Sequence, residues 1–197
     1  MKKQRIVLRD IEKSYDGKAV ISGFSADIST GSAIMGESGK GKTTLGRIIA
    51  GIERADSGSL DFSSNPVFSV VFQDDRLFED FSAIDNVALA APKGKDKREA
   101  RAEAAELLSL MRIDEAEQNK PVSLFSGGMK RRVALARALT KESDILLLDE
   151  PFKGLDMETR RVCAEIIRER AKERLLLLIT HDKTEAELLG IENILDL

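Results

Sequence analysis

Residues 36–43 read Gly-Glu-Ser-Gly-Lys-Gly-Lys-Thr and match the phosphate-binding pattern G-x-x-x-x-G-K-[ST]. An apolar run precedes the pattern and helix-like residues follow it, which predicts a loop that joins a strand to a helix. In such a loop, glycines let backbone N–H groups face phosphate oxygens, and the helix N-terminus adds partial positive charge. The pattern therefore predicts a nucleoside triphosphate site formed by Gly36, Glu37, Ser38, Gly39, Lys40, Gly41, Lys42, Thr43 and Thr44.

Two of these side chains have specific predicted roles. Lys42 is expected to reach the β- and γ-phosphates of the triphosphate. The hydroxyl of Thr43 is expected to take one coordination position on Mg²⁺. Magnesium is therefore the predicted companion of the nucleotide.

Residues 145–150 read Ile-Leu-Leu-Leu-Asp-Glu, an apolar run that ends in two carboxylates. Four consecutive large aliphatic residues are typical of a parallel strand that is buried on both faces. Ligands of open α/β sheets bind at the carboxyl ends of such strands. We therefore expect Asp149 to hold Mg²⁺, and Glu150 to accept a proton from the attacking water.

His181 is the only histidine of the chain, and it follows the apolar run 175–179. A lone histidine usually has a packing or surface role. Its place just after the end of a predicted buried strand favours instead a polar sensor of the γ-phosphate.

The elements that must position these residues alternate between strands and helices. Strands are predicted at 6–8, 24–28, 33–35, 59–62, 67–72, 145–148, 175–179 and 191–195. Helices are predicted from the phosphate loop to about residue 50, then at 84–91, 96–112, 157–172 and 183–189. Strand and helix in alternation imply right-handed crossovers and a mainly parallel sheet. The stretch between the strands near 72 and 144 lacks strand signals and predicts an inserted helical lobe.

Composition limits the class of protein. A chain of 197 residues that is 42% hydrophobic can build one substantial core, and its longest apolar runs are too short to cross a bilayer. The basic segment 1–5 is followed by residues 6–10, which are too short and too polar for a signal peptide, and the single Cys163 fits a reducing cytosol. The net charge of −3 argues against nucleic-acid binding, and the basic cluster 130–132 is interpreted as a solvated or partner-facing surface.

Residues 124–139 read Leu-Phe-Ser-Gly-Gly-Met-Lys-Arg-Arg-Val-Ala-Leu-Ala-Arg-Ala-Leu, and with the two motifs above they resemble the ATP-binding subunits of ABC transporters. Ser126 is expected to cap a helix, while Gly127 and Gly128 expose N–H groups to an anion. The resemblance implies that these three residues contact the γ-phosphate held by the opposite subunit. It therefore implies a head-to-tail homodimer or pseudo-dimer with ATP at the interface.

Further roles are implied by the same resemblance. Gln73 is similar to the glutamine that senses Mg²⁺ and the attacking water, and thus to a metal-contacting and catalytic residue. Tyr15 resembles the aromatic residue that stacks on adenine, although a core or turn tyrosine is a fair alternative. Residues 155–156 resemble the segment that couples the two sites. His181 and Lys42 complete the implied catalytic set with Glu150.

The resemblance covers essentially the whole chain and implies an α/β fold. It implies a P-loop NTPase core with a mainly parallel sheet, a small N-terminal antiparallel β region and an inserted helical subdomain. The core is predicted at about 1–73 and 138–197, and the helical subdomain at about 74–137. The family signature corresponds here to Ser126–Gly128. It differs from the usual family pattern Leu-Ser-Gly-Gly-Gln, because Phe125 and Met129 flank these three residues.

The predicted activity is ATP hydrolysis that powers solute transport through separate transmembrane permease subunits, with import as the predicted direction. Residues 77–89 resemble bacterial uptake systems for small anions, which implies a solute-binding protein as a further partner. The predicted location is the cytoplasmic face of the plasma membrane. An exporter ATPase and a soluble iron–sulfur assembly ATPase remain alternatives. DNA-repair and translation ATPases would carry long insertions or a second domain, and a scaffold without catalysis conflicts with the Asp149–Glu150 pair.

Overall fold

The computed structural model describes residues 4–197, and Met1–Lys3 of the basic N-terminal segment lie outside the described residues. The strands are β1 (Ile6–Tyr15), β2 (Lys18–Ile28), β3 (Ser32–Met35), β4 (Ser57–Phe62), β5 (Phe68–Val71), β6 (Ile145–Asp149), β7 (Leu175–Ile179) and β8 (Asn193–Asp196). The helices are α1 (Lys42–Ile49), α2 (Ala83–Ala88), α3 (Lys97–Leu110), α4 (Glu115–Gln118), α5 (Gly127–Thr140), α6 (Met157–Arg170) and α7 (Lys183–Leu188), with a 3-10 turn at Val122–Leu124.

The described residues divide into two compact units. The first unit contains the residues up to Val70, Ser143–Glu150 and Glu173–Leu197. The second unit contains Val71–Glu142 and Pro151–Lys172. The second compact unit therefore contains α6 as well as the helical stretch that the sequence predicts as a subdomain at about 74–137.

In the first unit, an antiparallel sheet has the order β2-β1-β4. The strands β1 and β2 form a hairpin in which Tyr15 pairs with Lys18 across Asp16 and Gly17. Both turn residues have positive φ, 48° and 77°, as a two-residue turn between right-twisted strands requires. The strands are longer than the predicted 6–8 and 24–28, because the Asp-Gly turn lets them pair as far as Tyr15 and Lys18.

The other sheet of the first unit has the order β5-β6-β7-β3-β8. Its pairs β6·β7, β3·β7 and β3·β8 are parallel, as the alternation of strands and helices predicts. Every residue of β3, β6 and β7 is buried, so these apolar strands form the centre of the unit. Burying an aliphatic side chain of this size contributes about 1.5–3 kcal/mol. The sheet is therefore a rigid base for the loops at its carboxyl edge.

In the second unit, α3 has the predicted amphipathic spacing. Its buried side chains recur at three- and four-residue intervals and are Ala100, Ala104, Leu107 and Leu108. Side-chain caps fix the helix starts, since Ser82 accepts a hydrogen bond from the Asp85 N–H and Asp96 accepts from the N–H groups of Arg98 and Glu99. Helices within residues 4–197 fall short of the length and apolarity that a membrane span requires.

Candidate functional site

The glycine-rich loop lies in the first unit, between β3 and α1, as its pattern predicts. Gly39 and Gly41 have φ of 84° and 87°, in the left-handed region that favours glycine. A Cβ atom on Gly41 would lie 2.8 Å from the carbonyl oxygen of Val20, so this position needs glycine for space as well as for conformation. Gly41 precedes α1 directly, which leaves the first N–H groups of the helix directed at the loop.

The ammonium group of Lys42 is held inside this loop. Its Nζ atom donates to the carbonyl oxygen of Gly36 at 2.7 Å and to that of Glu37 at 2.8 Å. Lys42 is only 7% exposed, so the loop rather than solvent surrounds the charge and fixes its position. A fixed cation beside helix N–H groups suits the oxygens of a phosphate chain.

Asp149 is the last residue of β6 and pairs with Ile179 of β7. Its side chain is 2% exposed, which places a carboxylate at the carboxyl edge of the parallel sheet. Thr43 lies in the first turn of α1 and is partly buried. Hydroxyl and carboxylate oxygens are ligands that Mg²⁺ accepts, and this ion usually takes its remaining ligands from phosphates and water. The donor set thus fits magnesium held together with a nucleotide.

Glu150 and His181 are brought together at the same edge. The Oε1 atom of Glu150 lies 3.1 Å from Nδ1 of His181. Glu150 has a φ of 46°, uncommon for a residue with a side chain, while its N–H donates to the carbonyl oxygen of Ile179 at 2.9 Å. β7 holds this backbone in an energetically unfavourable conformation and so fixes the carboxylate next to the imidazole. The sequence alone predicts Glu150 and His181 only as two separate strand-end residues.

The sequence does not predict Glu185, the residue that holds the loop around His181. Glu185 of α7 is buried, and its Oε2 atom accepts a hydrogen bond from the hydroxyl of Thr180 at 2.7 Å. The same Thr180 oxygen accepts a hydrogen bond from the N–H of Asp182 at 3.1 Å. This bond joins the residues before and after His181. The signal available in the sequence was an acidic residue three positions after a helix-capping aspartate, and that pattern alone does not reveal burial.

Tyr15 ends β1 and is 43% exposed. Its hydroxyl donates to the carboxylate of Glu53, and the ammonium of Lys13 lies 5.4 Å from the ring centroid. The hydrogen bond to Glu53 and burial raise the pKa of Tyr15, against an opposing hydrogen bond with Thr44. The hydroxyl of Tyr15 thus lies next to the first turn of α1, and stacking of its ring on adenine stays a prediction.

In the second unit, Ser126 caps α5 as predicted, because its Oγ atom accepts from the N–H of Met129 at 3.3 Å. Gly127 and Gly128 form the first turn of that helix. A Cβ atom on Gly128 would lie 3.2 Å from the carbonyl oxygen of Gly154, so the second glycine lets residues 154–155 approach closely. Asp156, in the predicted coupling segment, caps α6 by accepting from the N–H of Thr159 at 2.9 Å.

Gln73 also lies in the second unit, two residues after β5, with its side chain exposed. Its carbonyl oxygen accepts a hydrogen bond from Arg131 at 2.6 Å. The interpretation of residues 130–132 as a solvated or partner-facing surface is therefore wrong at Arg131, which is only 3% exposed. Arg132 also turns inward and donates to the carbonyl oxygens of Met111 and Arg112 at the end of α3. The triplet pattern could not show this, because the direction of each side chain depends on the helix packing.

The geometry thus gathers Lys42, Thr43, Asp149, Glu150 and His181 within one unit, and Gln73 and the signature residues within the other. Against known families, residues 22–153 match the model described as ABC transporter. Among solved structures, the dimeric structure of MJ0796, a bacterial ABC transporter cassette, is similar with a TM-score of 0.86 and 25% identity, covering 98% of this chain and 94% of that one. The predicted fold class is confirmed.

Curated relatives add names. The chain is 38% identical over 189 residues to the aliphatic sulfonates import ATP-binding protein SsuB of Corynebacterium glutamicum, covering 93% of this chain and 76% of that protein. It is 40% identical to the sulfate/thiosulfate import ATP-binding protein CysA of Xylella fastidiosa, covering 92% of this chain and 57% of that protein. The chain therefore spans little more than half the length of some relatives and about three quarters of others. On the family match and these identities, the chain belongs to the ABC transporter family.

Proposed function

We propose that the chain is an ATP-binding subunit that hydrolyses ATP and powers solute import through separate membrane permease subunits. The observation that carries this proposal is the arrangement in the first unit. There, a fixed ammonium in the glycine-rich loop and the Glu150–His181 pair occupy the carboxyl edge of one parallel sheet. Such an edge, with a cation for phosphates and a carboxylate beside an imidazole, suits phosphoryl transfer to water.

Each residue has a distinct part in the proposed reaction. The loop N–H groups and Lys42 bind the phosphate chain, and Tyr15 stacks on the adenine. Thr43 and Asp149 would hold Mg²⁺, with Gln73 as a further contact, and the ion would supply positive charge against the charge that develops on the phosphates. Glu150 accepts a proton from the attacking water, while the His181 imidazole, fixed by that carboxylate, binds the γ-phosphate.

Two copies enclose the nucleotide in this proposal. Ser126, Gly127 and Gly128 present the N-terminus of α5, a favourable site for an anion, to the γ-phosphate held by the opposite copy. Hydrolysis removes the shared phosphate and releases the two copies, as in other phosphate-operated switches. The pairing is a homodimer or a pseudo-dimer with a related chain.

Import is favoured because the named relatives are import ATP-binding proteins for sulfonates, for sulfate or thiosulfate, and for spermidine or putrescine. These solutes include both anions and polycations, so the solute itself is not assigned. The chain acts at the inner face of the plasma membrane with its permease and, as an uptake system, with a solute-binding protein. Isolation of the complex from membranes and identification of its subunits tests these partners.

The test of the activity is phosphate release from MgATP by the full chain. Glu150→Gln removes the base but keeps the size and hydrogen bonding of the side chain, so we expect ATP binding to persist and turnover to fall by about 100- to 10,000-fold. Glu169→Gln, an exposed carboxylate on α6, is the matched control and should leave turnover unchanged. Unaltered turnover in Glu150→Gln would contradict the assigned base.

A further inference from the structure

The segment 72–76, which contains Gln73, is held by arginines of α5. Arg131 donates from Nη1 to the carbonyl oxygen of Phe72 and from Nη2 to that of Gln73, both at 2.6 Å. Arg137 donates to the carbonyl oxygens of Asp75 and Arg76, both at 2.9 Å. The backbone of this segment is therefore fixed by guanidinium groups rather than by a strand ladder.

The guanidinium of Arg131 is well suited to this hold. Its planar fork bonds two successive carbonyl groups at once, which a point-charge ammonium does not reproduce. Arg131 is nearly fully buried, and its Nη1 atom also lies 3.1 Å from the Oδ1 atom of Asp75. A buried cation is unfavourable unless it is well bonded, so these contacts define one arrangement of the segment.

Arg131 also belongs to the helix that begins with the signature. Gly127 opens α5, and Arg131 follows four residues later, about 6 Å along the axis. The N-terminus of α5 and the backbone of Gln73 are therefore linked within the second unit by one side chain.

We propose that Arg131 is a positioning residue that fixes Gln73 relative to the signature helix, so that displacement of α5 displaces Gln73. The inference rests on the proposed function, in which the N-terminus of α5 meets the nucleotide of the opposite copy and Gln73 serves the nucleotide of its own. In this proposal Arg131 acts through the carbonyl group of Gln73 rather than on a nucleotide.

The first test compares turnover in the full chain. Arg131→Met keeps the apolar stem and removes the fork, and we expect kcat to fall about 10- to 100-fold while the KM for ATP changes little, because misplacement of a positioned group by about 1 Å can cost that much. Arg131→Lys should not restore kcat. Lys130→Met is the control, because it removes the neighbouring cation, whose Nζ atom binds the carboxylate of Glu79 instead.

Combining Arg131→Met with Gln73→Ala distinguishes a positioning role of Arg131 from a purely structural one. If Arg131 acts through Gln73, Arg131→Met should lower kcat no further in the Gln73→Ala background. Independent losses that multiply in the double variant would overturn the proposal, as would equal losses in Arg131→Met and Lys130→Met.

Hydrogen–deuterium exchange of the peptide that contains residues 72–76 gives a readout without turnover. We expect faster exchange there in Arg131→Met than in wild type and in Lys130→Met. Absence of wild-type turnover would refute the proposed function instead. Unchanged exchange in Arg131→Met would still overturn the hold of Arg131 on Gln73.

Discussion

The two compact units place their candidate residues by different means. In the first unit, Lys42, Asp149 and Glu150 are positioned by the backbone itself, through strand ends and a glycine-rich loop. In the second unit, Gln73 is positioned by a side chain, the guanidinium of Arg131. Backbone placement follows from periodicity and glycine spacing, whereas side-chain placement depends on which way a helix faces.

This difference has a mechanical consequence. A parallel sheet of buried strands moves as one body, because each strand is bonded along its length to its neighbours. A loop held by guanidinium–carbonyl bonds follows the helix that carries the arginines. Within the first unit, the sheet therefore fixes the loop and strand-end residues, and within the second unit the Gln73 segment follows α5.

Activity depends most on the cation inside the glycine-rich loop. Lys42→Ala removes the cation inside the glycine-rich loop, so we expect turnover to fall about 100- to 1,000-fold and ATP binding to weaken. Lys172→Ala, an exposed lysine just after α6 that lies outside the proposed site, should change both by much less. Phosphate release and equilibrium nucleotide binding measure the pair, and similar losses in the two variants would contradict the role of Lys42.

The next effect addresses the signature in the second unit. Ser126→Asp keeps an oxygen that can cap α5 but places a negative charge at the proposed γ-phosphate contact. We expect thermal stability to be retained and turnover to fall about 10- to 100-fold. Ser126→Ala should lose about 1 kcal/mol of stability through the missing cap. Full turnover in Ser126→Asp would show that no phosphate approaches this helix end.

A pair of glycine substitutions measures how strictly the backbone defines the loop. Gly39→Ala meets no atom within 4 Å and should lose only about 1–2 kcal/mol for its left-handed conformation. Gly41→Ala adds a contact of 2.8 Å with the Val20 carbonyl oxygen and should lose about 1 kcal/mol more. Urea unfolding compares them, and equal losses would mean that the loop moves freely away from β2.

The smallest effect tests side-chain packing in the second unit. Burial raises the pKa of the Cys163 thiol in α6 from 9.0 to about 11, against opposing charges on Arg132 and Arg112. The folded state thus holds the proton more tightly, and this stabilisation is complete below pH 9 and is lost as the pH rises to about 11. Over that range, the stability difference between wild type and Cys163→Ala should shrink by roughly 2 kcal/mol. A constant difference in urea unfolding would show that the thiol is accessible to water.

Much of the first unit could be predicted from the sequence. The glycine spacing, the apolar run before Asp149 and the run before His181 are local signals, and the family and fold class that they indicate are confirmed. The full length of the β1–β2 hairpin was missed although its Asp-Gly turn was visible. The pairing of Glu150 with His181 joins residues 31 positions apart, which single-strand patterns do not specify.

The second unit was predicted less completely, for a physical reason. Arginines at 131 and 132 look alike in sequence, yet one bonds the Gln73 segment and the other the end of α3. The direction of each side chain follows from the packing of α5, and a run of three basic residues in the sequence does not specify that direction. Glu185 is a similar case, because its burial is set by the fold around α7 rather than by its neighbours in the chain.

In the proposed dimer, one copy binds ATP with its glycine-rich loop and the opposite copy closes the site with Ser126. Mixing Lys42→Ala chains with Ser126→Asp chains, each with little turnover alone, tests this arrangement, because each mixed dimer then contains one intact composite site. We predict that phosphate release returns on mixing, to about a quarter of the wild-type rate for random pairing. If the mixture stayed as slow as its components, the two motifs would serve a single chain, and the proposed dimer with its shared nucleotide would be wrong.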